Sequence, residues 1–296
     1  VTARLTDEVG TASALAAAVK LCASATATKA RTRVRFIVAL FGNNLLATQR
    51  LSRAAALTQA VAMAKALEEW TVLPHRPLER LSPSLMTVTG DIQMPLTLLE
   101  RRMTVVRLRD GRLVIYSAIA LDEQEMRVLE DFGSPAFLVV PNHLHRSDAL
   151  IWKRRYPKLT VVAPAGARAR VEEVVPVDTS TPDFRDAAVR FVEVEGTAGR
   201  EGALEVREGE HVALVLNDIV GNLPKSSGFV LRALGFATDR PRVPRAIKQA
   251  LVRDPHALRT QLEGWSQQPV ERILVSHGRP ILAGAQQVLR DMASSL

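Results

Sequence analysis

The chain has 296 residues, of which 47% are hydrophobic and 24% charged, a composition that excludes wholesale disorder and leaves room for a substantial core. A single cysteine, Cys22, excludes an intramolecular disulfide and a cysteine-held structural zinc and fits a reducing cytoplasm. The formal charge of +8 raises the question of nucleic acid, but eight basic residues from Arg4 to Arg53 face only Asp7 and Glu8 in the first 62 positions. With 4% aromatic residues to stack bases and no helix-turn-helix or zinc-finger spacing, no nucleic-acid partner is expected.

Residues 1–69 read as an Ala-rich, basic extension, with helices expected over 11–23 and 52–70 despite a poor amphipathic pattern. The apolar run 36–40 follows Lys29, Arg31, Arg33 and Arg35 in the manner of a secretion signal. It falls short of the roughly 20 residues needed to span a bilayer. Gly42, Asn43 and Asn44 then break it, so neither export nor a membrane span is expected. The chain opens on Val1, and Met63 stands just before the well-patterned region, which points to a misassigned start codon or a dispensable extension.

From Pro74-His75-Arg76-Pro77 onward the pattern becomes regular and reads as one domain over 70–296. Short strands are expected at 85–88, 103–108 and 112–116, the last two joined by the Asp110-Gly111 turn. Asp122 caps a helix, with Glu125 completing a capping box, and Gly133-Ser134-Pro135 ends it. The continuous apolar run 136–140 suits a strand covered on both faces. A helix over 148–156, a strand at 159–162 and a helix over 167–174 continue the alternation. Strands at 189–194, 204–207 and 211–216 precede helices over 228–234, 244–252 and 255–266, the last capped by Asp254 with Pro255 in its first turn. A strand at 272–275 and a helix from 280 close the chain. Strand-rich stretches interleaved with helices predict two mixed sheets packed together with helices outside.

Three loops directly follow expected buried strands and carry side chains able to hold a metal: 141–148 (Pro-Asn-His-Leu-His-Arg-Ser-Asp), Asn217-Asp218, and Ser276-His277-Gly278. Strand ends are where α/β folds gather their sites, and imidazole with carboxylate suits zinc, iron or manganese. No Gly-x-Ser-x-Gly elbow is present and Cys22 lies outside the patterned region, which argues against a serine or cysteine nucleophile.

These loops resemble the metallo-β-lactamase superfamily, in which an HxHxDH loop, a later Asp at a strand end and a final strand followed by SHG assemble a one- or two-metal site. The resemblance covers residues 75–296. The phrases LVIYSAIALDE, AFLVVPNHLHRSD, YPKLTVVAPAGARARVEEVVPVD, VLNDIVGNLP and ILVSHGRPI are similar to a bacterial domain-of-unknown-function family, DUF4336, related to that fold. The resemblance implies a four-layer αββα sandwich and a metal-dependent hydrolase.

The sequence departs from the active pattern at one loop. Asn142 stands where the first His of HxHxDH would be, Leu144 where the second would be and Arg146 where the Asp would be, and no His between His145 and His211 fills the middle ligand position. Asp218 and His277 match better. The expected ligand set is therefore His145, Asp148, Asp218 and His277, with His143 in reserve, for one or two ions of zinc, iron or manganese, or for none. Asp148 and Asp218 are the expected catalytic carboxylates, and Asn142 and Arg146 are expected to orient an anionic small-molecule substrate. Each residue also has a plainer reading: Asp148 as a helix cap, Asp218 and His277 as buried hydrogen-bonding groups, Asn142 as a loop tie. The rival to a cytoplasmic hydrolase is a catalytically silent sandwich that binds a small molecule or a protein in the former cleft.

Overall fold

A computed structural model describes residues 66–94 and 97–296, all within one compact unit, Leu57–Leu296. The helix expected over 11–23 lies outside the described residues, as does that over 52–70 except for 66–70, which are not helical. Trp70 instead packs its ring 5.5 Å from that of Trp152 and donates its indole N–H to the Leu121 carbonyl at 2.9 Å.

The first sheet has six strands whose spatial order is their chain order: β1 (Glu79–Arg80), β2 (Leu85–Met94), β3 (Thr97–Arg107), β4 (Arg112–Tyr116), β5 (Ser134–Val139) and β6 (Thr160–Val162). It is antiparallel as far as β4 and parallel from β4 through β6. The second sheet comprises β7 (Val189–Glu193), β8 (Gly202–Glu208), β9 (His211–Asn222) and β10 (Val270–Gly278) in the order β10-β9-β8-β7, with β9 and β10 parallel. The helices are α1 (Glu123–Phe132), α2 (Ala149–Arg155), α3 (Arg168–Glu172), α4 (Phe229–Leu234), α5 (Arg245–Ala250), α6 (Pro255–Ser266) and α7 (Ala285–Ser294).

Alternation along the strands explains the layering, because successive side chains point to opposite faces. Val106, Val114, Tyr116, Phe137 and Val139 meet Leu204, Val206, Ala213, Val215 and Leu274 in a core between the sheets. Their neighbours Val105, Ile115, Leu138 and Val140 turn outward onto Met126, Leu129 and Trp152 of α1 and α2. On the other side Val212, Leu214, Leu216, Ile273 and Val275 face Leu258, Leu262 and Leu289 of α6 and α7. Each such aliphatic side chain contributes about 1.5–3 kcal/mol on full burial. The result is the expected four-layer αββα sandwich of two mixed sheets flanked by helices. Tyr116 also ties the sheets by donating its hydroxyl to the Gly202 carbonyl at 2.8 Å.

Several elements differ from their sequence reading. β2 spans 10 residues and β3 spans 11, both longer than the expected strands 85–88 and 103–108, and β9 continues through Asp218 to Asn222. The closing helix α7 begins at Ala285, because Ile281 first pairs with Ile273 as an isolated bridge. The capping box at α1 is half formed. Asp122 accepts the Gln124 and Glu125 amides at 2.9 Å, but Glu125 reaches the Leu78 amide at 2.6 Å and leaves the Asp122 amide to His75. Among the described residues no helix is long and apolar enough to cross a membrane.

Candidate metal centre

Strand ends from both sheets converge on three side chains. His145 lies in the loop between β5 and α2. There Asn142 Oδ1 accepts the Leu144 amide at 2.8 Å and the Asn142 carbonyl accepts the His145 amide at 3.2 Å, turning the chain back toward the strand ends. Asp218 sits in a bulge of β9: Leu216 pairs with Val275 and Gly221 with His277, so four residues of β9 stand opposite one residue of β10. That excess pushes the Asp218 carboxylate out of the ladder. His277 comes from the end of β10, just before Gly278 at φ +99°.

The three donor atoms form a nearly equilateral triangle. His145 Nε2 is 3.3 Å from Asp218 Oδ1, His277 Nε2 is 3.2 Å from the same oxygen, and the two Nε2 atoms are 3.2 Å apart. Tetrahedral donors bound to one ion at about 2.0–2.1 Å would stand roughly 3.3 Å from each other, so the spacing fits a single small cation. The second nitrogen of each ring is held. His277 Nδ1 lies 2.8 Å from the Glu100 carbonyl, which only accepts, so Nδ1 donates there and Nε2 is the nitrogen left to ligate an ion. His145 Nδ1 lies 2.8 Å from Ser117 Oγ. A lone pair aimed at a carboxylate oxygen and a second imidazole is unfavourable unless a cation or proton lies between them, and ring orientation from behind is how metal-ligating histidines are fixed.

Electrostatics agree with that geometry. Burial alone would raise the Asp218 carboxyl, yet the charge and hydrogen bonds of the His145 and His277 imidazoles hold it well below the usual carboxylate range. Burial lowers the His145 imidazole below its ordinary value, which favours the neutral form that ligates. The triad opens on a cleft of about 50 Å³, room for a few water molecules, whose walls include Leu99, Ala118, Leu144, Phe236 and Ile247. Phe236 sets its edge against the His277 ring at 5.6 Å.

No family model and no curated relative matches the chain. Solved structures do. The chain is similar to the metallo-β-lactamase FIM-1 from Pseudomonas aeruginosa in its mono-zinc form, at 10% identity and a TM-score of 0.54 over 76% of this chain and 96% of that one. DIM-1 metallo-β-lactamase exposed to ceftazidime gives 13% identity and a TM-score of 0.50, and TMB-1 gives 12% and 0.53, each covering 76% of this chain and 99% of the other. The fold is metallo-β-lactamase-like.

Within this metallo-β-lactamase-like scaffold His145, Asp218 and His277 form a group that could hold a metal ion. The other residues expected at the site lie outside the triad, and of them Asn142 is hydrogen-bonded to it. Asp148, expected as ligand and catalytic carboxylate, forms a buried ion pair with Arg101, and its Oδ1 also accepts the Ala120 amide at 2.9 Å. It stands at the N-terminus of α2 without capping it through its side chain. Arg146 pairs with Glu173 at 2.7 Å and with the Arg170 carbonyl, and is absent from the residues that line the cleft. Asn142 is fully buried, with its amide nitrogen given to Asp218 Oδ2 at 2.8 Å and Glu201 Oε2 at 3.1 Å. His143 is lowered below its ordinary value by burial and then by Arg146, and does not join the triad.

Sequence reasoning missed Ser117, Glu201 and the Arg101 partner of Asp148. Ser117 directly follows β4 and, at φ 56°, holds a conformation that non-glycine residues seldom adopt, a recurrent mark of functional positions. Glu201 falls in the stretch that lacks a histidine and carries no motif. Burial and then the Asp218 charge push its carboxyl well above the usual range.

Proposed function

We propose that the protein is a metal-dependent hydrolase of a small molecule, acting at a single ion held by His145, Asp218 and His277. The observation that carries this reading is the triangle of donors with edges of 3.2–3.3 Å at the floor of a cleft. The two-imidazole, one-carboxylate set suits zinc, and also iron or manganese. When bound, such an ion supplies a water of lowered pKa and polarises the bond to be cut. The chain's own residues do the rest. Ser117 and the Glu100 carbonyl fix the two rings, Asn142 holds the rear oxygen of Asp218, and the apolar walls exclude bulk water so that charges inside interact strongly. The Asp218 carboxylate, held ionised by its neighbours, supplies the negative charge that retains the ion.

The departures of the His145 loop from HxHxDH, with Leu144 lining the cleft where a ligand would be, favour a second reading: a binding module that retains the sandwich and takes a small apolar molecule. Elemental analysis of protein purified without an affinity tag separates the two. Near-stoichiometric zinc, iron or manganese in the wild type, lost in Asp218→Ala while the variant remains folded, supports the hydrolase. A metal-free wild type after supplementation with each ion contradicts it.

A further inference from the structure

Two carboxylates, Glu201 and Asp218, are buried within reach of one amide group. Asn142 Nδ2 lies 3.1 Å from Glu201 Oε2 and 2.8 Å from Asp218 Oδ2, so each of its two hydrogens has an acceptor. The amide orientation is not free to reverse, because Asn142 Oδ1 accepts the Leu144 amide at 2.8 Å. Glu201 is fixed in turn by the Ile219 amide, which its Oε1 accepts at 2.9 Å, one residue beyond Asp218. Asn142 and Glu201 are fully buried and Asp218 is 2% exposed. Two carboxyl groups buried about one donor group need a proton or a cation to offset their charge, and here an amide donor stands between them.

Asp218 is thereby divided. Its Oδ1 faces the two imidazoles, and its Oδ2 is consumed by Asn142. A carboxylate that bridges two metal ions commonly offers one oxygen to each, and the second oxygen of Asp218 is already bonded to the amide that also reaches Glu201. We propose that Asn142 is a positioning residue whose amide stands in for a second cation between Glu201 and Asp218, restricting the centre to one metal held through Asp218 Oδ1.

This inference rests on the metal-binding reading above and goes further by fixing the stoichiometry and naming the residue that sets it. The experiment is a zinc(II) titration of metal-free wild-type protein, Asn142→Asp and Asn142→His, with bound zinc counted after removal of excess and folding checked by near-ultraviolet circular dichroism. The expected result is one zinc per chain in the wild type and two in Asn142→Asp, which exchanges the amide donor for a third oxygen ligand. Should that variant fail to fold, Asn142→His, which aims a neutral nitrogen ligand at the same place, is expected to take two. Two zinc ions in the wild type overturn the inference and leave the metal reading standing. One zinc in the folded variants also overturns it. No zinc in the wild type removes the metal reading and this inference with it.

Discussion

The serine behind His145 illustrates how single residues divide between stability and ligation. At φ 56° Ser117 bears strain of about 1–2 kcal/mol for a residue with a Cβ, and its hydroxyl is what that backbone delivers to His145 Nδ1. Removing the hydroxyl in Ser117→Ala is expected to weaken metal binding about 10- to 100-fold. Ser117→Gly should lose a similar factor yet unfold at higher denaturant than Ser117→Ala, since glycine accepts this φ at no steric cost. Competition titrations and urea melts check the pair, and equal stability of the two would contradict the strain. Asp148 belongs to the opposite class. Its partner Arg101 is 7% exposed, so Asp148→Ala strands a buried guanidinium and should cost about 3–5 kcal/mol, whereas the double replacement Arg101→Met with Asp148→Leu should recover most of it. A single variant that retains full stability in urea would contradict this. In sequence Asp148 and the site residues looked alike, because a carboxylate after a strand reads the same whether its partner is an ion or an arginine 47 positions away.

Among the elements, those with regular alternation were legible and those with buried charge were not. The second half of β2 and the first of β3 carry Asp91, Glu100, Arg101 and Arg102 and fall outside the strands expected at 85–88 and 103–108. In the folded chain Arg101 meets Asp148, while Arg102 donates to Thr87 and to the Gly278 carbonyl at 3.1 Å each. The bulge in β9 was equally hidden, since nothing in Leu-Asn-Asp-Ile-Val announces that β9 advances from Leu216 to Gly221 while its partner advances only from Val275 to His277. The close approach of β9 and β10 at Gly278 yields a test. A Cβ there would lie 2.2 Å from the Asn222 carbonyl oxygen, so Gly278→Ala must part the strands beside His277. We expect a loss of at least about 2 kcal/mol together with weaker metal binding. Gly284→Ala, at φ 66° but with open space around it, should cost less and leave the metal alone. Equal losses in the two variants would show that backbone angle alone, and not the strand contact, is at issue.

At the level of the whole molecule the four layers were readable because the apolar residues of both sheets alternate between an inner and an outer core. Asp218 and His277 were readable as strand-end donors. Ser117 and Glu201 were not, since their partners are distant in sequence and the contacts exist only after the sheets pack. The centre also joins the two sheets, with His145 following β5 and Asp218 and His277 on β9 and β10. A bound ion should therefore stabilise the entire domain, by about 2.7 kcal/mol at a hundredfold excess over its dissociation constant. Chelator should lower Tm of the wild type and leave that of Asp218→Ala unchanged; no shift in the wild type would count against a shared ion. The most direct measurement is X-ray absorption at the zinc edge of the metal-loaded protein. The account predicts a single ion with two imidazole donors and oxygen donors at about 2.0–2.1 Å, one imidazole being lost in His277→Ala. A spectrum without imidazole scattering, or one that His277→Ala leaves unaltered, would contradict it.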